Sequence, residues 1–406
     1  MNDSLNKQFS VRNIILKLDE IGRSNQNNNV PQIRGVKIFK NIINKDGSIN
    51  KKNYHLKDDF GVEFGELLTR YLFLNAILDQ GPDMDGVRLL QSRVTNILYD
   101  NKIYFLHEPY LFFKNLNSIF KIIDEEHNKL KKELGPAWQK RQNTKKQYSL
   151  FLENSSQLSS YVLGRWGPPI SIIQILANNQ ENLLDLFKRR KSAEDLAEFI
   201  KSDKNYGMGK AIGDKAAHLL VKWLIYSYEL IDLKDTHWGQ NSYEVPFDSN
   251  AGRVLFMSGF FHYFFPSLNN LSDIEKEKKW LSSGRIQKFT KEKDKQERWT
   301  GKYHMYITNS FRGQTIESFG EDSFKDIKPF LKETLNKNPQ KKIEVQHMIN
   351  YLSKNLGTKI GAIDDGLMYV GTKFCINRGN QLCDKCPLRD ECSGKEDFKR
   401  KNNFFT

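Results

Sequence analysis

Between residues 60 and 101 the apolar positions recur at helical spacing. Leu67, Leu68, Tyr71, Leu72 and Leu74 make a broad stripe, and Val87, Leu89 and Leu90 open a second one. Asp79-Gln80-Gly81-Pro82-Asp83 separates them, a run of turn-forming residues, so the pattern predicts helix, tight turn, helix. Helical spacing continues through 106–163, including 111–123, and then gives way to a Lys/Glu/Gln-rich stretch reaching about Gln147 that reads as a solvated helix or an insertion, set at 125–150. Ser192-Ala193-Glu194-Asp195 resembles a capping box and predicts a helix running through Leu196, Phe199 and Ile200. The first fifty or so residues are rich in Asn, Lys and Gly; only the amphipathic run 11–18 predicts a helix there. Strand signals are weak throughout, no internal repeat is evident, and the expected class is all-α.

Charge narrows the choice of partner. Lys and Arg number 63 against 49 acidic residues, a net +14, and such a balance favours polyanions, nucleic acid first. Lys and Glu are mixed most densely at 272–302, around Trp280 and Trp299, which reads as a solvated insertion or as a DNA-binding arm. No run approaches the length of apolar residues that a membrane span needs, and Met1-Asn2-Asp3-Ser4 does not begin a basic-then-apolar leader. The expectation is a cytoplasmic protein with no membrane partner.

All four cysteines lie in one short segment, Cys375, Cys383, Cys386 and Cys392, with the spacing C-x7-C-x2-C-x5-C. A disulfide framework would spread them through the chain, whereas four soft thiolates in one loop can converge on one centre. The chemistry fits a [4Fe-4S] cluster or a tetrahedral zinc (Zn) ion. Only Cys383 and Cys386 form the close pair that structural zinc sites use twice, so the spacing favours iron–sulfur.

This loop resembles the C-terminal iron–sulfur loop of the endonuclease III branch of helix-hairpin-helix DNA glycosylases, with Pro387 after the third cysteine as in that family and a first interval one residue longer. Upstream, Lys210-Ala211-Ile212-Gly213-Asp214-Lys215-Ala216-Ala217 is similar to the second half of the family's hairpin. In such a turn the backbone N–H groups at a helix start can hold a DNA phosphate without reading sequence. Gly207-Met208-Gly209 offers a second register for the turn, but it would put Ala211 where the family has its lysine. Next, Pro246-Phe247-Asp248-Ser249-Asn250-Ala251-Gly252-Arg253 resembles the segment carrying the family's aspartate and the arginine five positions on; read alone, Asp248 is a helix cap. Gln80-Gly81-Pro82-Asp83 is similar to the turn whose glutamine enters the DNA stack. The resemblance is one of motifs, in the family's order, spread over residues 60–395 and separated by insertions.

The resemblance implies a two-lobed all-α helix-hairpin-helix fold with a C-terminal cluster loop. Its expected parts are an N-terminal extension at 1–59 that packs with the C-terminal lobe, a helical barrel lobe at 60–242 with the hairpin at about 200–225, and a C-terminal lobe at 243–406 with the cysteines at 375–392. It implies a monomer, associated with the nucleoid, acting on double-stranded DNA that bears a damaged or modified base. Lys215 and Asp248 are the implied catalytic pair. Gln80, Lys210, Ala211, Ile212, Gly213 and Arg253 are the implied DNA contacts. The activity would be base excision with associated AP lyase chemistry through a lysine Schiff base. Three alternatives stay open at this stage: a monofunctional enzyme in which Asp248 activates water, including one directed at modified foreign DNA, a non-catalytic damage sensor, and a zinc-stabilised interaction module. His218 reads as an ordinary helix residue. The excised base is not specified by these motifs.

Overall fold

The structure is a computed structural model, described here for residues 2–25, 32–78, 84–141, 155–206, 208, 212–232, 244–246, 249–260, 345–375 and 382–392. The described chain is helical: in order, α1 Asn2–Ser24, α2 Phe64–Leu78, α3 Met84–Asp100, α4 Tyr110–Lys114, α5 Leu116–Arg141, α6 Ser155–Asn178, α7 Leu183–Lys188, α8 Ala193–Ser202, α9 Asp214–Lys222, α10 Ser249–Met257, α11 Val345–Leu356 and α12 Ile360–Lys373. Among the described residues the only β pairing is two isolated bridges, Ile43 with Ile49 and Lys57 with Glu63. No described helix is long and apolar enough to cross a membrane.

The chain divides into two compact units. One holds residues 1–26 and 247–406, the other 27–246. The sequence reading draws its lines at 59/60 and 242/243. The segment 32–59 belongs with the 27–246 unit because its short 3-10 turns, Lys37–Ile42 and Lys51–His55, pack on α2, with Phe39 set edge-on to Tyr71 at 5.4 Å between ring centroids.

In the 27–246 unit every residue of α2 is buried, so the stripe expected from its sequence is a helix covered on all sides, by α6, α7, α9 and the 3-10 turns. Its polar side chains are paired inside. Arg70 Nε donates to Glu66 at 2.6 Å and its Nη1 donates to the Leu106 carbonyl at 2.7 Å. Glu66 also accepts the backbone N–H groups of Leu183 at 2.9 Å and Leu184 at 2.8 Å, supplying acceptors to the first turn of α7. Helix α8 starts as its sequence predicts: Ser192 Oγ accepts the Asp195 N–H at 3.0 Å. The return bond differs from a capping box, because Asp195 accepts from Lys191 N–H at 2.9 Å, one residue earlier.

In the other unit α1 lies along α12, a helix of 23 residues where the apolar run 11–18 marks only its middle. Two glycines allow the backbones to touch. A Cβ on Gly22 would sit 1.8 Å from the Ala362 carbonyl oxygen, and one on Gly366 would sit 2.1 Å from that of Leu18. Asp19 fastens the crossing, accepting the Lys359 N–H at 2.9 Å ahead of α12 and Arg23 Nε at 2.7 Å. Helix α10 packs on the other end of α12, with Gly371 against Asn250.

Candidate functional site

The four cysteines meet in one pocket of the 1–26/247–406 unit. Helix α12 ends at Lys373 with Phe374 as its C-cap, and Cys375 N–H still donates to the Val370 carbonyl at 2.8 Å, so the first thiol is carried on the helix end. The Leu382 N–H donates to the Phe374 carbonyl at 3.0 Å, which returns the chain to that end. From there two 3-10 turns, Cys383–Lys385 and Arg389–Glu391, set the remaining cysteines through Cys386 N–H to Cys383 O at 3.2 Å and Cys392 N–H to Arg389 O at 3.3 Å. Leu388 is buried, and the second turn packs against α1. The pocket walls between the thiols are Val254, Met257 and Ser258 from the end of α10, Val370 and Phe374 from α12, and Leu388 and Arg389. Cys392 Sγ lies 3.4 Å from the Met257 carbonyl oxygen, to which it donates.

Burial pushes the Cys383 and Cys386 thiols up, Cys383 further because the Asp384 carboxylate is beside it and Cys386 further because Cys383 is. Among the described residues no three His, Cys, Asp or Glu side chains form a group that could hold a metal ion. What fits a larger inorganic group is the donor set itself, four thiols around an otherwise mostly apolar recess. A second fit is the buried Nε of Arg389, another lining residue, which has no hydrogen-bond partner among the described residues. A buried N–H is normally paired, so an acceptor is expected there.

The hairpin region lies in the 27–246 unit. Gly213 is the N-cap of α9 in an extended conformation (φ −94°, ψ 177°), which any residue adopts, and a Cβ on it would meet nothing within 4 Å. Gly213, having no side chain, gives the helix no side-chain cap. Ile212 is buried and fixes the entry to α9, its N–H donating to the Met208 carbonyl at 3.2 Å. Lys215, at the second position of the helix, is half-buried. The far end of α9 runs into a π-helical turn, Trp223–Ser227, and is locked into the core: Tyr54 Oη donates to the Tyr228 carbonyl at 2.6 Å, and Tyr228 Oη donates to Gln32 at 2.9 Å. Lys210, Ala211, Gly207 and Gly209 lie outside the described residues, so neither register of the turn is drawn from the structure.

Two features of this region were missed in the sequence. Asp203 accepts the N–H groups of Asn205 at 3.0 Å, Tyr206 at 3.1 Å and Met208 at 3.1 Å, folding the segment after α8 around one carboxylate. His218, one turn after Lys215, is buried with its Nε2 3.6 Å from the buried Glu244 carboxylate. An Asp eight residues after a capping box is a legible loop signal; a His–Glu contact between distant positions is not.

Asp248 and Gln80 lie outside the described residues. Helix α10 begins at Ser249, the residue after Asp248, and carries Arg253, while α2 ends at Leu78 and α3 starts at Met84, on either side of Gln80 in the sequence. Lys215 belongs to one unit and Asp248 to the other. No family model matches this chain, and neither a curated protein nor a solved structure matches it.

Proposed function

We propose that this protein is a DNA N-glycosylase that flips a damaged or modified base out of the duplex and excises it, with associated AP lyase activity. The observation that carries the reading is the shared pocket of Cys375, Cys383, Cys386 and Cys392, because that loop is the most specific of the motifs resembling the helix-hairpin-helix glycosylases. The start of α9 supports it: Gly213 brings no side chain to the first turn, where helix-start N–H groups and the helix dipole suit a DNA phosphate, and the net charge of +14 suits a polyanion.

The four cysteines would hold a [4Fe-4S] cluster, whose contribution is to order the loop and to carry an electron rather than to break the glycosidic bond. The bond-breaking chemistry belongs to the chain. As the C1′–N bond lengthens, the sugar gains positive charge, and the Asp248 carboxylate stabilises it while the base departs with the bonding electrons and takes up a proton. The Lys215 amine then bonds to C1′ and loses a proton; the C1′–O4′ bond breaks with a proton passing to O4′, opening the ring to a Schiff base, and loss of a C2′ proton then drives β-elimination of the 3′ phosphate. Lys215 suits this role because α9 is held at both ends, by Ile212 at its entry and Tyr228 beyond its exit.

Base release from duplexes carrying single modified bases tests the reading. Asp248→Asn is expected to abolish release while duplex binding stays within a few-fold of wild type; full release by that variant would remove Asp248 from the mechanism.

A further inference from the structure

The buried, unpartnered nitrogen of Arg389 belongs to the pocket of the four thiols and is not accounted for by base excision. Its backbone is fixed by two of the cysteines: Arg389 N–H donates to the Cys386 carbonyl at 3.0 Å, and its own carbonyl accepts from Cys392 N–H at 3.3 Å. The side chain is divided in its surroundings. Its Nη1 lies 3.9 Å from Asp384, which is 92% exposed, while its Nε is buried and has no hydrogen-bond partner among the described residues. The outer end of the guanidinium is thus paired towards solvent, and the inner N–H belongs to a side chain that lines the pocket. Leaving a donor buried without an acceptor is costly, and guanidinium is always charged, so this arrangement calls for an electron-rich acceptor.

We propose that the Arg389 Nε–H donates a hydrogen bond to a sulfur of the iron–sulfur cluster held by Cys375, Cys383, Cys386 and Cys392, and that this bond and the fixed positive charge raise the cluster's reduction potential. The inference rests on the cluster reading above. One-electron reduction adds a negative charge to the cluster and makes its sulfurs better acceptors, so both effects of Arg389 stabilise the reduced form more than the oxidised one. Neither effect is needed for the cluster to be bound, because the four thiolates supply the ligands.

Iron content and visible absorbance of the full-length protein, purified without oxygen, separate the two claims. An iron-free, colourless protein would end the cluster reading and this inference with it. With about four irons per chain, redox titration followed by absorbance compares wild type with Arg389→Lys and Arg389→Leu. The midpoint is expected to move to more negative potential in both, further in Arg389→Leu, which loses charge and donor together, than in Arg389→Lys, which keeps the charge. An unchanged midpoint in Arg389→Leu at full iron content would overturn the proposal. Should Arg389→Leu lose its iron, Arg389→Lys decides: a negative shift supports the hydrogen bond, and an unchanged midpoint refutes it.

Discussion

His218 Nε2 lies 3.6 Å from Glu244 Oε2, with both side chains buried, and this contact ties the last residues before the unit boundary to the helix that carries Lys215. Val245 and Pro246 are buried alongside. Replacing Glu244 with leucine takes the carboxylate away from the buried imidazole, and a loss of about 1–3 kcal/mol is expected. Urea unfolding should report a loss of that size, and a midpoint equal to wild type would show that the contact contributes nothing.

Glu66 answers three donors at once, Arg70 Nε and the N–H groups of Leu183 and Leu184. Glu66→Ala leaves a buried guanidinium and an open helix start, so a loss of about 3–5 kcal/mol is expected. Denaturant titration checks it. Glu66→Gln, which still accepts from the backbone, should recover part of the loss.

The glycine contacts of α1 with α12 leave no room for a methyl group. Gly366→Ala would press a carbon into the Leu18 carbonyl, and because backbone cannot yield as a side chain does, a cost at or above the usual 1–3 kcal/mol of overpacking is expected. The second cysteine turn rests on α1, so with the proposed cluster in place the same variant should also release iron faster to a chelator. Gly213→Ala is the control. A Cβ there meets nothing, and thermal stability should be unchanged.

How much of this was legible in the sequence depends on distance along the chain. The helices flanking Gln80 and the Ser192 cap are written in local spacing and were readable from it. The shared pocket of the four cysteines was readable for the same reason, since one short loop contains them all. Glu66 was not, because its partners at Leu183 and Leu184 are more than a hundred residues away and nothing near Glu66 announces them. The full length of α1 was also hidden: its first turns, Asn2-Asp3-Ser4, carry no apolar stripe, and Gly22 reads as a helix breaker until Ala362 is found against it. Arg389 looked like one more basic residue until its Nε proved to be buried.

Acid should expose a fourth feature. His107 is buried, with Asp58 at its Nε2 and the Tyr99 hydroxyl 2.8 Å from its Nδ1. Burial holds its pKa below the ordinary 6.5, against the opposite pull of Asp58. The unfolded chain then binds a proton that the folded protein does not, so the stability from this site is complete above pH 6.5 and is lost as pH falls from there through the lower folded value. Unfolding free energies measured across that range should fall less steeply in His107→Gln than in wild type. Equal slopes would remove His107 as a source of acid sensitivity.

The most direct test of the central claim is borohydride trapping on a panel of duplexes, each with one modified base, beside an abasic duplex. The account predicts a covalent protein–DNA band on at least one modified duplex, lost in Lys215→Gln while that variant still binds the duplex. A panel with no covalent band and no alkali-revealed base loss, from a protein that binds the duplexes, would contradict it.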